Sequence, residues 1–323
     1  MTRFAYFCGH EQWHPEQLVE HARLAEAAGF DMVMVSEHFH PWVDDHSASG
    51  FAFSTIGAMA EATERIEFTT AVTTPLFRFH PAIVAQAAAT LDRLSGGRFN
   101  LGVGTGENLN EGPLGYPFPN YAERAARMRE ALQIMRCLLD GEKLTFDGEF
   151  YSTDRAKLYS PPLHRVPIFL AAGGPKSATL AAELADGVIT SVKDPDETKA
   201  NVIEPLKLAA RDARTVLATR WTLHARDEDE AWEVLRPWRG LRAPGRLEAV
   251  DPADLRERAD LMPREDVIGR YKLAYEPAEI IASYLPLVEE VKADVVTFQM
   301  ASRDQEGLIE LLGREVLPEL RAR

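Results

Sequence analysis

Apolar residues are distributed along the first part of the chain in two alternating patterns. Short strand-like segments, rich in apolar or β-branched residues, lie at 3–7, 31–35, 66–72 and 99–103. Stretches in which apolar residues recur at helical spacing lie at 16–28, 53–62, 82–94 and 121–139. Gly29 and the pair Gly96-Gly97 follow two of these stretches, as glycine often does at a helix end. The first half therefore predicts four successive strand–helix units.

The same alternation continues in the second half, with two interruptions. Further strands are predicted at 166–170, 187–191, 216–224 and 294–300. Further helices are predicted from about 192 through Ala209 and at 176–184, 228–235, 264–273, 277–291 and 305–320. Alternation around Asp147-Gly148 predicts a hairpin insertion at about 141–165. A segment at about 238–262 is rich in Arg, Pro and Gly and is interpreted as a lid-like insertion.

Eight strands that alternate with helices predict a closed parallel sheet, the TIM or (β/α)₈ barrel, as one domain over 1–323. Such a barrel needs about 250 residues, which leaves room for both insertions. The alternative is an open, doubly wound sheet. It is disfavoured because no glycine-rich dinucleotide fingerprint follows the first strand.

Charge and composition narrow the possible partners. The formal net charge is −14, and Lys and Arg are scattered without a basic run, so neither nucleic acid nor a membrane is an expected partner. The two cysteines, Cys8 and Cys137, show no metal-like or redox spacing and are expected to be free thiols. The start of the chain resembles no signal peptide, and the expected location is the cytoplasm.

Side chains able to do acid–base chemistry follow the predicted strands, where the active sites of such barrels lie. His38 follows the second strand, with Trp42 four residues later, and Glu107 follows the fourth strand. A neutral imidazole is able to accept a hydroxyl proton, and an enclosed carboxyl group is able to hold and donate one. Taken alone, His38 is as well explained as a strand-end histidine that bonds to backbone.

Two glycine-containing loops favour a ligand that packs against the backbone. Gly104-Thr105-Gly106 follows the fourth strand, and Gly173-Gly174 follows the fifth strand directly before a helix. Glycine permits close approach, and a helix N-terminus attracts phosphate. The spacing His38-x-His40 also resembles that of metal-dependent hydrolases, but the later strand ends lack the further ligands, so no metal is expected.

Several segments together carry a resemblance to a known family. They are 35–42 (Val-Ser-Glu-His-Phe-His-Pro-Trp), 71–75 (Ala-Val-Thr-Thr-Pro), 104–111 (Gly-Thr-Gly-Glu-Asn-Leu-Asn-Glu), 171–175 (Ala-Ala-Gly-Gly-Pro) and the region around Arg270. The chain resembles the luciferase-like barrel superfamily and, within it, the coenzyme F420-dependent glucose-6-phosphate dehydrogenases. The likeness runs from about Phe4 to Leu320, with gaps in the insertions.

The resemblance implies a role for each matching residue. His38 would be the base that deprotonates the alcohol, Trp42 would shape the site, and Glu107 would be the acid near the ring of the deazaflavin. A non-proline cis peptide would join Ala71 and Val72 beneath that ring. The coenzyme-binding residues would be Glu37, Ala71, Val72, Thr74, Thr105, Gly106, Asn110, Ala172, Gly173 and Gly174. The family has Asp where this chain has Glu37, which would alter how the ring is held.

The resemblance also implies a phosphate clamp and a homodimer. Lys193, Arg246 and Arg270 would hold a sugar phosphate, with Arg246 standing where the family has Lys. The implied reaction is oxidation of a sugar 6-phosphate to its lactone by hydride transfer to C5 of F420. The alternatives are an F420-dependent dehydrogenase of secondary or lipid-linked alcohols, an FMN-dependent monooxygenase, and a flavin-binding barrel without catalysis.

Overall fold

The computed structural model describes residues 2–323 and contains a barrel of eight parallel strands. The strands in chain order are β1 (Arg3–Cys8), β2 (Met32–Val35), β3 (Glu67–Thr70), β4 (Phe99–Val103), β5 (Leu144–Asp147), β6 (Ser152–Ala156), β7 (Ile168–Ala171), β8 (Gly187–Ser191), β9 (Thr215–Leu223), β10 (Lys272–Leu273) and β11 (Val295–Ala301). The pairing order β9-β11-β1-β2-β3-β4-β7-β8 closes through pairing of β8 with β9. The predicted (β/α)₈ barrel is confirmed.

Helices surround the strands. They are α1 (Pro15–Ala27), α2 (Ala52–Ala62), α3 (Pro81–Ser95), α4 (Asn108–Glu111), α5 (Tyr121–Leu139), α6 (Pro175–Leu184), α7 (Pro195–Thr198), α8 (Glu204–Ala209), α9 (Glu228–Leu235), α10 (Pro252–Asp260), α11 (Arg264–Ile268), α12 (Pro277–Glu289), α13 (Gln305–Leu311) and α14 (Leu317–Arg321). Single π turns at Lys199–Ile203 and Leu312–Val316 join α7 to α8 and α13 to α14. None of the helices between residues 2 and 323 is long and apolar enough to cross a bilayer.

The side chains of each barrel strand divide between two apolar layers. In β1, Phe4 and Tyr6 belong to the layer between strands and helices, together with Leu18 of α1. Ala5 and Phe7 belong to the second layer, with Met32 and other residues of the barrel interior. Successive side chains of a strand point to opposite faces, so a strand covered on both faces reads as a continuous apolar run.

The predicted hairpin is present and is fastened to the barrel. Leu144 pairs with Ala156, and Asp147 with Ser152, in an antiparallel ladder outside the barrel. The Tyr151 hydroxyl donates to the carbonyl of Leu76 at 2.7 Å, in the loop that follows β3. The hairpin therefore braces a loop at the rim where strand-end residues gather.

One expectation in the second half was wrong in detail. The helix predicted over 264–273 ends at Ile268, and Lys272–Leu273 form β10 beside β9. The Tyr271 ring packs against Trp221 of β9 with a centroid separation of 5.8 Å, which holds the chain extended along that strand. The segment interpreted as a lid-like insertion contains α10, which begins where the Asp251 side chain accepts the Ala253 N–H.

Candidate active site

His38 lies directly after β2 and is almost enclosed, with 11% of its side chain exposed. Phe39 N–H donates to the Asn110 amide oxygen at 2.8 Å, which leaves the amide nitrogen 3.3 Å from Nδ1 of His38. In this arrangement Nδ1 accepts, so the neutral ring carries its hydrogen on Nε2. Burial, reinforced by Arg78, lowers the pKa of His38 to about 3, and the imidazole is neutral at physiological pH.

Glu11, which sequence reasoning missed, faces the other nitrogen of this ring. Its Oε1 lies 3.5 Å from Nε2 of His38, and its Oε2 accepts a hydrogen bond from Ser36 Oγ at 2.5 Å. Burial raises the pKa of Glu11 to about 7 because the carboxylate has lost most of its water. The loop Gly9-His10-Glu11 follows β1, so the strand-end rule that pointed to His38 also covers Glu11.

Trp42 and Glu107 complete the predicted catalytic set. The buried Trp42 ring meets the His38 ring edge to face, with centroids 4.9 Å apart. Glu107 follows β4, and its Oε1 lies 3.9 Å from Nη1 of Arg246. Burial raises the pKa of Glu107, while Arg246 and then Arg124 oppose that rise. His38, Trp42, Glu107 and Glu11 line one cavity of about 440 Å³.

Backbone forms much of the wall of this cavity. The peptide bond between Ala71 and Val72 is cis, as the family resemblance implied. Thr74 and Gly106 are in contact: a Cβ on Gly106, whose φ is +78°, would lie 2.9 Å from the Thr74 methyl group. The predicted coenzyme residues that line the cavity are Ala71, Val72, Thr74, Thr105, Gly106 and Gly173.

An open backbone cradle lies at the end of β7. Apart from its neighbours in the chain, no residue between 2 and 323 has a heavy atom within 4 Å of the place where a Cβ on Gly173 or Gly174 would stand. Gly174 is the N-cap of α6, and Pro175 occupies the first turn. This is the geometry expected of a site that receives a phosphate group at a helix N-terminus. Ala172, by contrast, is buried and donates its N–H to Ile189 O.

Two of the predicted coenzyme residues make other contacts. Glu37 accepts a 2.7 Å hydrogen bond from Arg78, and both side chains are buried. Arg78 also lies 3.6 Å from Glu111, so one guanidinium serves two carboxylates. Asn110 bonds to His38 and to the Phe39 backbone. Neither Glu37 nor Asn110 lines the cavity, so any contact with a coenzyme remains a prediction.

A second cavity of about 760 Å³ adjoins the first and is lined by cations. It contains all three predicted phosphate ligands, Lys193, Arg246 and Arg270, and it shares Arg246 and Trp221 with the first cavity. Three further cations, Arg220, Arg242 and Lys272, line this cavity and were not predicted, and Arg242 lies in a segment without periodicity. The pKa of Lys193 is lowered, first by Arg242 and then by burial, Arg246 and Arg270. The positive charges are thus close enough to repel one another.

Arg246, one of the three predicted phosphate ligands, lies between the two cavities and lines both. Its guanidinium carbon lies 5.7 Å from the centroid of the Trp42 ring. His40, the second histidine of the metal-like spacing, donates from Nδ1 to the Val250 carbonyl oxygen at 3.2 Å and does not line the first cavity.

Comparison with known proteins agrees with this geometry. Residues 2–289 match the family described as luciferase-like monooxygenase. The chain belongs to this family. It is 36% identical over 332 residues to an F420-dependent glucose-6-phosphate dehydrogenase of Beutenbergia cavernae, covering 100% of this chain and 98% of the relative. It is 38% identical to an F420-dependent hydroxymycolic acid dehydrogenase of Mycobacterium tuberculosis, covering 97% of this chain and 86% of the relative.

A solved member of the family has nearly the same structure. An F420-dependent secondary alcohol dehydrogenase, in complex with an F420–acetone adduct, superposes with a TM-score of 0.90 at 33% identity, covering 99% of each chain. A coenzyme F420-dependent tetrahydromethanopterin reductase from Methanopyrus kandleri, at 23% identity and a TM-score of 0.79, shares the fold.

The raised pKa of Glu11 makes stability depend on pH. The folded protein holds this proton up to about pH 7, whereas the unfolded chain releases it near 4.5, so stability falls as pH rises between these values. In the wild type, this fall in the free energy of unfolding should amount to about 2 to 3 kcal/mol, and it should be absent in Glu11→Gln, which cannot lose the proton. Urea unfolding at pH 5, 6, 7 and 8 measures this. A difference between variant and wild type that does not change with pH would contradict the assignment.

Proposed function

We propose that the chain is an F420-dependent dehydrogenase that oxidises a sugar 6-phosphate, such as glucose 6-phosphate, to its lactone, as a step in carbohydrate metabolism. One observation carries the choice of a phosphorylated substrate: the cavity of Lys193, Arg242, Arg246 and Arg270 opens beside the cavity of His38 and Glu107. In a chain of net charge −14, a cavity lined by six cations and a single carboxylate, that of Glu248, favours a dianionic ligand.

The first cavity has the donors and the backbone surface that the coenzyme requires. When bound, F420 accepts a hydride at C5 of its ring. The cis peptide Ala71–Val72, with Thr74, Thr105 and Gly106, would support the ring. The open backbone at Gly173 and Gly174 would receive the phosphate of the coenzyme's tail. Ala172 adjoins this backbone, and Glu37 and Asn110 would act from outside the cavity lining. FMN is the alternative cofactor because it has a similar ring and phosphate.

His38 would take the hydroxyl proton of the substrate on Nε2 while the hydrogen already on that nitrogen passes to the ionised Glu11, so that the ring stays neutral and Glu11 ends protonated. His38 is neutral, and Asn110 fixes its ring, while Glu11 is ionised in an increasing fraction of molecules above pH 7. Near neutral pH the pair is therefore able to bind one more proton. It faces the cavity beside Trp42. Glu107 would hold a proton on its carboxyl group and release it toward the ring nitrogen as hydride arrives.

A second candidate is an F420-dependent dehydrogenase of secondary or lipid-linked alcohols. It is favoured by the wall of the first cavity, where Trp221, Trp238 and Leu241 present apolar surface. An alcohol without phosphate would use this wall and leave the cation cavity to solvent. An FMN-dependent monooxygenase is the third candidate.

We also propose that the protein is a cytoplasmic homodimer. Cys8 and Cys137 are free thiols, as suits a reducing compartment. Phe51, Ile83 and Leu94 of the α2–α3 face are each at least half exposed around an apolar groove, which a second copy would cover.

Loss of the proposed base should slow the chemical step. We expect His38→Ala to lower kcat about 10²- to 10⁴-fold while F420 affinity is largely kept. The rate is measured by the loss of F420 absorbance with glucose 6-phosphate, and affinity by direct coenzyme titration. His40→Ala is the matched control, since His40 bonds to Val250 outside the cavity. Full activity of the His38 variant would reject the role.

Loss of a cation should affect phosphorylated substrates selectively. We expect Lys193→Ala or Arg270→Ala to raise KM for glucose 6-phosphate about 10- to 100-fold, since a charged hydrogen bond contributes about 1.5 to 3 kcal/mol. KM for an unphosphorylated alcohol should change little. Arg264→Ala, which removes a cation outside this cavity, is the control. Equal effects on both substrates would favour the second candidate.

A charge on the apolar face should separate the proposed dimer. We expect Ile83→Glu with Leu94→Glu to give monomers, because two buried carboxylates would face an apolar surface. Sedimentation equilibrium measures the mass. Leu208→Glu is the control, since this exposed side chain does not line the groove. A wild-type protein of monomer mass would refute the proposal directly.

A further inference from the structure

Arg246 is the side chain that joins the two cavities. It lines both of them, with its Nη1 3.9 Å from Oε1 of Glu107 and its guanidinium carbon 5.7 Å from the Trp42 ring centroid. On its other side stand Lys193, Arg242 and Arg270. A single guanidinium thus faces the proposed acid and also belongs to the proposed phosphate clamp.

Arg246 is the least tightly held of the cations around Glu107. The other charged groups around Glu107 are Arg124, Arg78, Glu37 and, more remotely, Glu11. Arg78 is held by a 2.7 Å bond to Glu37, and Arg124 donates to the carbonyl of Pro119. No hydrogen bond within residues 2–323 holds the guanidinium of Arg246, which is about one-third exposed. A new anion would therefore move Arg246 before it moved the rest.

We propose that Arg246 couples occupancy of the cation cavity to the protonation of Glu107. A dianion bound by Lys193, Arg242 and Arg270 competes with Glu107 for the guanidinium and draws it away. The partly buried carboxylate, left without its counter-charge, takes up one proton from solvent. This inference rests on the proposed phosphate cavity but goes beyond it, because it assigns the bound phosphate a part in preparing the acid.

The coupling would make the enzyme selective by rate as well as by affinity. An alcohol without phosphate can reach His38, but Arg246 then stays beside Glu107 and keeps the carboxylate ionised. The acid would be ready only when a phosphate is in place. Arg suits this task better than Lys because its planar guanidinium is able to pair with either a carboxylate or a phosphate in the same fork geometry.

The experiment measures proton uptake without the coenzyme. Sodium sulfate is added stepwise to the full-length protein at pH values between about 5.5 and 7.5. Sulfate is a dianion that neither gains nor loses a proton in this range. Sulfate binding is followed by calorimetry in buffers of different ionisation enthalpy, which gives protons taken up per sulfate bound. We expect uptake that approaches one proton at its maximum over this range.

Two variants identify the groups involved. Glu107→Gln should bind sulfate with no proton uptake, because an amide cannot replace the titrating carboxyl. Arg246→Met should bind sulfate more weakly through the remaining cations, also without uptake. Glu11→Gln, Glu248→Gln and Lys193→Arg are controls for the other titratable groups near either cavity, and each should keep the uptake.

A second measurement supplies the sugar and the anion as separate molecules. Inorganic phosphite should accelerate the oxidation of unphosphorylated glucose by wild-type protein with F420. In Arg246→Met the acceleration produced by phosphite should be at least 10-fold smaller. Sulfate that binds without proton uptake, or with uptake that persists in Glu107→Gln, would overturn the coupling and leave the phosphate cavity standing. Failure of sulfate to bind at all would overturn the coupling together with the proposed phosphorylated substrate.

Discussion

Closure of the parallel sheet is the constraint on which the site depends. Pairing of β8 with β9, from Gly187 with Thr215 to Ser191 with Thr219, turns an eight-strand sheet into a ring without edges. All eight carboxyl ends then lie on one rim, so loops far apart in sequence meet there. Glu11, which follows β1, and Glu107, which follows β4, line the same cavity for this reason.

Strand closure also limits which residues the barrel accepts. A Cβ on Gly102 of β4 would stand 1.9 Å from the Thr70 carbonyl oxygen of β3. The Thr70 hydroxyl bonds back to Gly102 O at 2.7 Å, so the two strands are joined by a side chain as well as by their ladder. The cis peptide at Ala71–Val72 follows directly, and this close pairing holds the loop against the rim.

The buried carboxylates of this rim fall into two kinds. Glu37 and Glu111 share the guanidinium of Arg78, an ion cluster in which each charge has a partner. Glu11 has only neutral partners, Ser36 and His38, so burial makes it hold its proton more tightly than an exposed carboxyl group, up to about neutral pH. The first kind holds the loops together, and the second is able to exchange a proton during a reaction. Glu107 stands between them because its counter-charge, Arg246, is also within reach of the cation cavity.

The sequence by itself determined the strand–helix order, since burial on both faces of β2 or β4 leaves a continuous apolar run. It also pointed to His38, Glu107 and the glycine loops, because in a parallel barrel chemistry follows the strands. Glu11 lay within the same rule and was overlooked. Arg242 gave no local pattern, and its place beside Lys193 depends on how the segment after α9 folds across the rim. Tertiary structure alone decided that Arg246 faces both Glu107 and the cations, because the distance between two side chains on separate loops has no expression in local sequence.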